Sequence, residues 1–118
     1  AYLRPIEGKR PNLKIISTGL VTRVLIEGGR AVGAEFVEGR GQAASSVRAA
    51  REVLVCAGAV QSPQLLQLSG IGDPAALKAF GIDVKVASPN VGKNLQDHLD
   101  VTVINRMTQP VSAYSLQK

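Results

Sequence analysis

The feature that most constrains this chain is a fifteen-residue run, Gly58-Ala-Val-Gln-Ser-Pro-Gln-Leu-Leu-Gln-Leu-Ser-Gly-Ile-Gly72, which follows the apolar stretch Val53-Leu-Val-Cys-Ala57. A short apolar stretch, then small residues, then Ser-Pro and closely spaced leucines reads as a buried strand that turns directly into a helix. Ser62 and Pro63 predict the helix start, because a hydroxyl accepts an orphan backbone N–H and proline lacks a donor that the first turn does not use. Leu65, Leu66 and Leu68 predict the buried face, and Gly70 the left-handed residue that closes the helix. A corner of this kind places the chain in the α/β class.

The flanks supply the partners. After Pro11-Asn12, Leu13 to Ile16 is a short apolar run, and Leu20-Val-Thr-Arg-Val-Leu-Ile26 continues in strand-like composition. Gly28-Gly29 predicts a tight hairpin turn, since glycine supplies the positive φ that two-residue turns need. Ala31-Val-Gly-Ala-Glu-Phe-Val37 is the return strand, and the small, polar residues 39–46 form a second loop. From Val47 to Cys56 the chain becomes steadily more apolar, as a strand does that begins exposed and ends buried. Asp73-Pro74 repeats the helix-start chemistry for a second short helix that runs through Phe80 and is closed by Gly81. Ile82, Val84 and Val86 alternate with polar residues as in a half-exposed strand, residues 88–97 are loop-forming, and Val101-Thr-Val-Ile104 is a last strand candidate. Beyond Pro110 the tail is expected to fray.

Composition narrows the function classes. With 118 residues and 45% apolar content, the chain can build one modest core or part of one. It contains no run of about 18 apolar residues, so a membrane span is not expected, and the reading is of a soluble protein, cytoplasmic by preference. The single cysteine, Cys56, cannot close an intrachain disulfide and is expected to be buried in its apolar run. A net charge of +5 invites a nucleic-acid reading. The basic residues are dispersed, however, and the aromatics Tyr2, Phe36, Phe80 and Tyr114 stand singly, which gives no stacking platform. No nucleic-acid partner is therefore expected.

Two strings, Gly39-Arg-Gly-Gln-Ala-Ala44 and Gly70-Ile-Gly-Asp-Pro-Ala75, imitate a dinucleotide fingerprint. In the second, Asp73 would oppose a pyrophosphate and Pro74 would delete a needed N–H; in the first, the preceding strand alternates and no acidic residue follows at ribose distance. Both are read as coincidences. A better cofactor position is the strand end at Ala57 and Gly58, where small side chains let a bulky ligand approach the backbone; close strand-to-helix packing asks for the same residues. Asp97-His98 suggests a base with its carboxylate, but adjacent residues seldom face one another, and a loop-anchoring role is preferred. No catalytic residue and no metal ligand is assigned.

The run from Gly58 to Gly72 resembles the second sequence signature of the glucose-methanol-choline (GMC) oxidoreductases: Gly, small, two variable, Ser-Pro, variable, two aliphatic, two variable, Ser-Gly-aliphatic-Gly. Every specified position is met. Ala1-Tyr-Leu-Arg-Pro, Pro11-Asn-Leu, Leu20-Val-Thr-Arg-Val-Leu, Gly81-Ile-Asp-Val and Asn90-Val-Gly-Lys-Asn-Leu-Gln-Asp-His98 are also similar to that family, so the resemblance covers about residues 1–104. The choline and alcohol dehydrogenases of the family look nearest.

The resemblance implies a fold and a role. It implies part of an FAD-binding dinucleotide fold, incomplete, with a β-meander, a parallel strand into Ala57-Gly58 and following helices. Residues 1–98 would be the middle of the FAD-binding domain, and 99–118 the start of the substrate domain, partly unpaired. It further implies FAD contacts at Val21, through the main chain to adenine, and at Ala57 and Gly58. In a complete parent, an alcohol substrate would lose its proton to a histidine far downstream, and not to His98, as hydride passes to the flavin. The family's glycine-rich pyrophosphate unit and its catalytic pair are missing from this sequence. Each charge-assisted hydrogen bond lost with that unit is worth about 1.5–3 kcal/mol. FAD binding by the isolated chain is accordingly expected to be weak or absent, with no turnover. Self-association through an uncovered sheet edge is expected as well. The alternatives are a truncated pseudoenzyme or interaction module that reuses the fold, and another two-dinucleotide-fold flavoprotein.

Overall fold

A computed structural model describes residues 2–104, so the expected fraying beyond Pro110 and most of segment 99–118 lie outside the described residues. Strands β1 (Leu20–Glu27), β2 (Arg30–Val37) and β3 (Ser45–Arg48) form an antiparallel meander in that order. Glu27 pairs with Arg30 across Gly28 and Gly29, whose φ values of 55° and 78° are those of a primed hairpin turn. The β1–β2 register shifts between Val21 and Arg23, where Thr22 is the extra residue. Arg48 reaches across β2 to Glu27, and Arg23 pairs with Glu35 at 2.9 Å.

Helix α1 (Gly58–Leu68) leads through Ser69 and Gly70 into β4 (Ile71–Gly72), then α2 (Pro74–Ala79) and β5 (Val86–Ala87), which runs parallel to β4. Gly70, at φ 86°, is the left-handed closing residue expected from the sequence. Its Cβ position is taken up by the backbone of Asp83, so only glycine fits where the chain returns toward β5. Asp73 caps α2: Oδ1 accepts the N–H groups of Ala75 at 2.9 Å and Ala76 at 3.2 Å, with Pro74 in the first turn. Among the described residues the buried apolar side chains are Val24, Phe36 and Leu77, and the one buried polar residue is Ser69.

The α/β class and the meander match the sequence reading, while several local expectations are corrected. The stretch from Val47 to Cys56 pairs only as far as Arg48; the last ladder bond is Ala49 N–H to the Val32 carbonyl, and residues 52–56 run without a strand partner. The expected parallel strand into Ala57 and Gly58 is therefore absent from the described residues, because a strand exists only against a neighbour. For the same reason Cys56 is exposed rather than buried, and Leu54 is 76% exposed. Helix α1 begins at Gly58, and Pro63 lies within it. Ser62 acts from inside the helix, its Oγ accepting the Ala57 N–H at 3.0 Å. Of Leu65, Leu66 and Leu68, expected on the buried face, none is buried: Leu65 and Leu66 are partly exposed and Leu68 is half exposed. The alternating residues Ile82 to Val86 form a strand only at Val86–Ala87, since β4 offers just two residues to pair with, and residues 101–104 are exposed and unpaired.

Candidate functional site

The N-terminus of α1 is open chemically as well as sterically. Ala57 is the N-cap residue; no side chain accepts from the first N–H groups of the helix, and the first turn holds no acidic residue. Those donors and the positive end of the helix dipole therefore face outward together. Ala57 and Gly58 are exposed, and a Cβ built on Gly58 would meet nothing within 4 Å. The α2 start is the contrast. There the Asp73 carboxylate occupies the same donors, and the N–H groups of Ala76 and Ala75, with Lys93 beside them, hold its pKa below the usual carboxylate range. That carboxylate also disposes of the fingerprint-like string at Gly70, and the string at Gly39 lies in the β2–β3 connection rather than at a helix start.

Val21 sits on β1, the edge strand of the meander. Val24, opposite Ala34, turns its N–H away from β2 and donates it to Ser69 Oγ at 2.8 Å. Val21 is opposite Phe36, two residues along β2 from Ala34, so the antiparallel alternation turns its backbone groups to the same unpaired side. The bulge at Thr22 makes this so: continued without a bulge from the Arg23–Glu35 pair, the ladder would put Thr22 opposite Phe36 and turn Val21 toward β2. On the apolar face, Val21 lines a recess of about 290 Å³ with Ile16, Gly19, Ala34, Phe36 and Val47.

A second recess, of about 520 Å³, lies between α1 and residues 92–96. Ala59, Val60 and Pro63 give it an apolar floor, and Gln64, Gln67, Lys93, Asn94 and Gln96 give it polar walls. It begins one residue beyond Gly58 and shares no residue with the recess at Val21, so these three expected contacts are not gathered into one cavity. The loop that forms its far wall leads into Asp97 and His98. Asp97 Oδ1 accepts the His98 backbone N–H at 2.8 Å, a contact between adjacent residues and not a carboxylate–imidazole pair. Among the described residues there is no group of three or more potential metal ligands.

Sequence reasoning missed two residues. Ser69 was visible only as a letter in the signature, yet it is buried and joins sheet to helix. Gln67 donates from Nε2 to the Val91 carbonyl at 3.2 Å and so joins α1 to the 88–97 loop. Its signal was a polar residue interrupting Leu65-Leu66-x-Leu68, a pattern a helix keeps when that face has a polar partner.

Comparison with known proteins gives a consistent result. Residues 1–100 match the family model described as GMC oxidoreductase. The chain is 50% identical over 115 residues to an oxygen-dependent choline dehydrogenase of Brucella anthropi, covering 98% of this chain and 20% of that protein. It is 48% identical over 105 residues to the oxygen-dependent choline dehydrogenase of Serratia proteamaculans, covering 89% and 19% respectively. Among solved structures it is similar to an FAD-dependent oxidoreductase from Chaetomium thermophilum, with a TM-score of 0.71, 39% identity and coverage of 75% of this chain and 15% of that one. Pyridoxine 4-oxidase from Mesorbium loti is similar too, with a TM-score of 0.71, 41% identity and coverage of 80% and 18%. The chain thus spans about a fifth of the length of the curated relatives it matches.

Proposed function

The chain belongs to the GMC oxidoreductase family, and from that premise we propose that it is the middle segment of an FAD-dependent alcohol oxidoreductase of the choline dehydrogenase type. In this reading residues 1–98 serve FAD binding, and residues 99–118 begin the substrate domain. The observation that carries it is the uncapped N-terminus of α1 behind two exposed small residues, Ala57 and Gly58, within the segment that matches the family.

Ala57 and Gly58 let a bulky ligand come against main chain, and the free first-turn N–H groups suit a negatively charged one. Val21 contributes a backbone donor and acceptor turned away from β2, which fits the edge of an adenine ring without spending a charged side chain. When bound, FAD supplies the hydride acceptor for oxidation of an alcohol to a carbonyl. This chain's residues hold and orient. None of them is assigned a proton-transfer role, and the isolated chain is accordingly inactive.

Among the described residues no helix is long and apolar enough to cross a membrane. The unpaired segment 52–56 and the exposed Leu54 and Phe80, 82% exposed, are faces that the remainder of such an oxidoreductase would cover. The test is to read the flanking coding sequence and express the full reading frame. A glycine-rich dinucleotide fingerprint upstream, bound flavin absorbance and choline-dependent reduction of a dye acceptor are the expected results. Stop codons immediately on both sides, or a full-length product without flavin, would overturn the reading.

A further inference from the structure

The loop of residues 88–97 has no helix or strand, yet it forms one wall of the groove beside α1. Two local turns shape it, Val91 N–H to the Ser88 carbonyl at 3.2 Å and Lys93 N–H to the Asn90 carbonyl at 3.1 Å. Neither turn ties it to the rest of the molecule; its first residue is held by Ser88 N–H to the Gly72 carbonyl at 2.8 Å, and beyond Ser88 the ties are made by side chains. Two side-chain contacts supply them: Lys93 Nζ to Asp73 Oδ2 at 3.5 Å, long and exposed, and Gln67 Nε2 to the Val91 carbonyl at 3.2 Å, partly buried. The Gln67 side chain also runs between two glycines. Its Cγ lies 3.3 Å from where a Cβ on Gly72 would stand, and its Nε2 lies 2.9 Å from where one on Gly92 would stand. Gly72 ends the signature run and Gly92 opens the groove wall, so two absent side chains make the slot that one glutamine fills.

We propose that Gln67 is the positioning residue for residues 92–96, fixing that wall of the groove from α1 through the Val91 carbonyl. What enters the groove follows from the flavin reading above; the positioning is tested with no cofactor present, so failure of one leaves the other standing. The measurement is amide hydrogen exchange on the 118-residue chain, comparing wild type with Gln67→Met, which keeps side-chain bulk but not the donor, and Gln67→Glu. Loss of the donor raises exchange at Val91 and Lys93 by about threefold to tenfold, while amides of β1 and β2 keep their wild-type rates. Gln67→Glu behaves like Gln67→Met at neutral pH. On acidification toward about pH 4 its carboxyl gains a proton and can donate to Val91, and the loop amides return toward wild type measured at the same pH. Lys93 lines the same groove as Gln67 and pairs with Asp73, a contact common to both proteins. Wild-type exchange at Val91 and Lys93 in Gln67→Met, equal loosening of β1 and β2, or indifference of Gln67→Glu to pH would each overturn the proposal.

Discussion

Ser69 Oγ receives the Val24 N–H at 2.8 Å and donates its own proton to the Leu65 carbonyl at 2.6 Å, so one buried hydroxyl joins the edge of β1 to the last turn of α1. Replacing Ser69 with alanine leaves the Val24 N–H, on a buried residue, without its acceptor, a loss of about 1–3 kcal/mol. Exchange at the Val24 amide in Ser69→Ala is expected to accelerate correspondingly, and Ser69→Thr, which keeps a hydroxyl, to do so less. Unchanged protection of that amide in Ser69→Ala would show that the bond contributes nothing.

Acid acts through three carboxylates. Asp73 is held below its usual range chiefly by the Ala76 and Ala75 N–H groups, Glu27 by its hydrogen bond from Arg48, and Glu35 by those from Arg23 and then Thr22. A folded-state pKa that is lowered gives stability that is complete above the unfolded value, about 3.9–4.3 for these side chains, and is lost as pH falls through the lowered one. The Ala75 and Ala76 amides are expected to keep their protection from pH 7 down to about pH 5 and to lose it below about pH 4. Loss beginning near neutrality would point to some other group.

Added FAD is not expected to make the isolated chain an oxidoreductase. Val21, Ala57 and Gly58 offer main-chain contacts only, and none of the described residues is assigned a proton-transfer role. Choline with an electron acceptor and excess FAD should give no turnover, and FAD fluorescence should change little on mixing. Sustained reduction of the acceptor would contradict this directly.

Segment 52–56 is unpaired and exposes Leu54 and Cys56 beside Glu52, and β1 and β3 are both sheet edges. Such edges add strands from other chains. Sedimentation is expected to show concentration-dependent species larger than a monomer, reduced by Leu54→Lys. A clean monomer across the concentration range would count against it.

What the sequence made legible divides by the range of the interaction. The Gly28-Gly29 turn, the Asp73-Pro74 start and the left-handed Gly70 were readable because each is decided within a few residues. Residues 52–56 read as a buried strand, and their composition still does; pairing is a property of neighbours that composition does not contain. Ser62-Pro63 marked the right turn of chain but the wrong end of its work, since the hydroxyl bonds backward to Ala57 from within the helix. The outward turn of the Val21 backbone depended on a bulge at Thr22, which no side chain announced. Gln67 and Ser69 act over 24 and 45 residues of separation, beyond any local pattern.

The small set of buried apolar residues, Val24, Phe36 and Leu77 among those described, also governs how the chain comes apart. The steepness of a denaturation curve follows the surface newly exposed on unfolding, and here little apolar surface is left to expose. Heat or urea should therefore loosen this chain gradually, element by element, in a broad slope with no sharp midpoint. A sharp, shared transition would have to come from surface that this chain does not bury by itself.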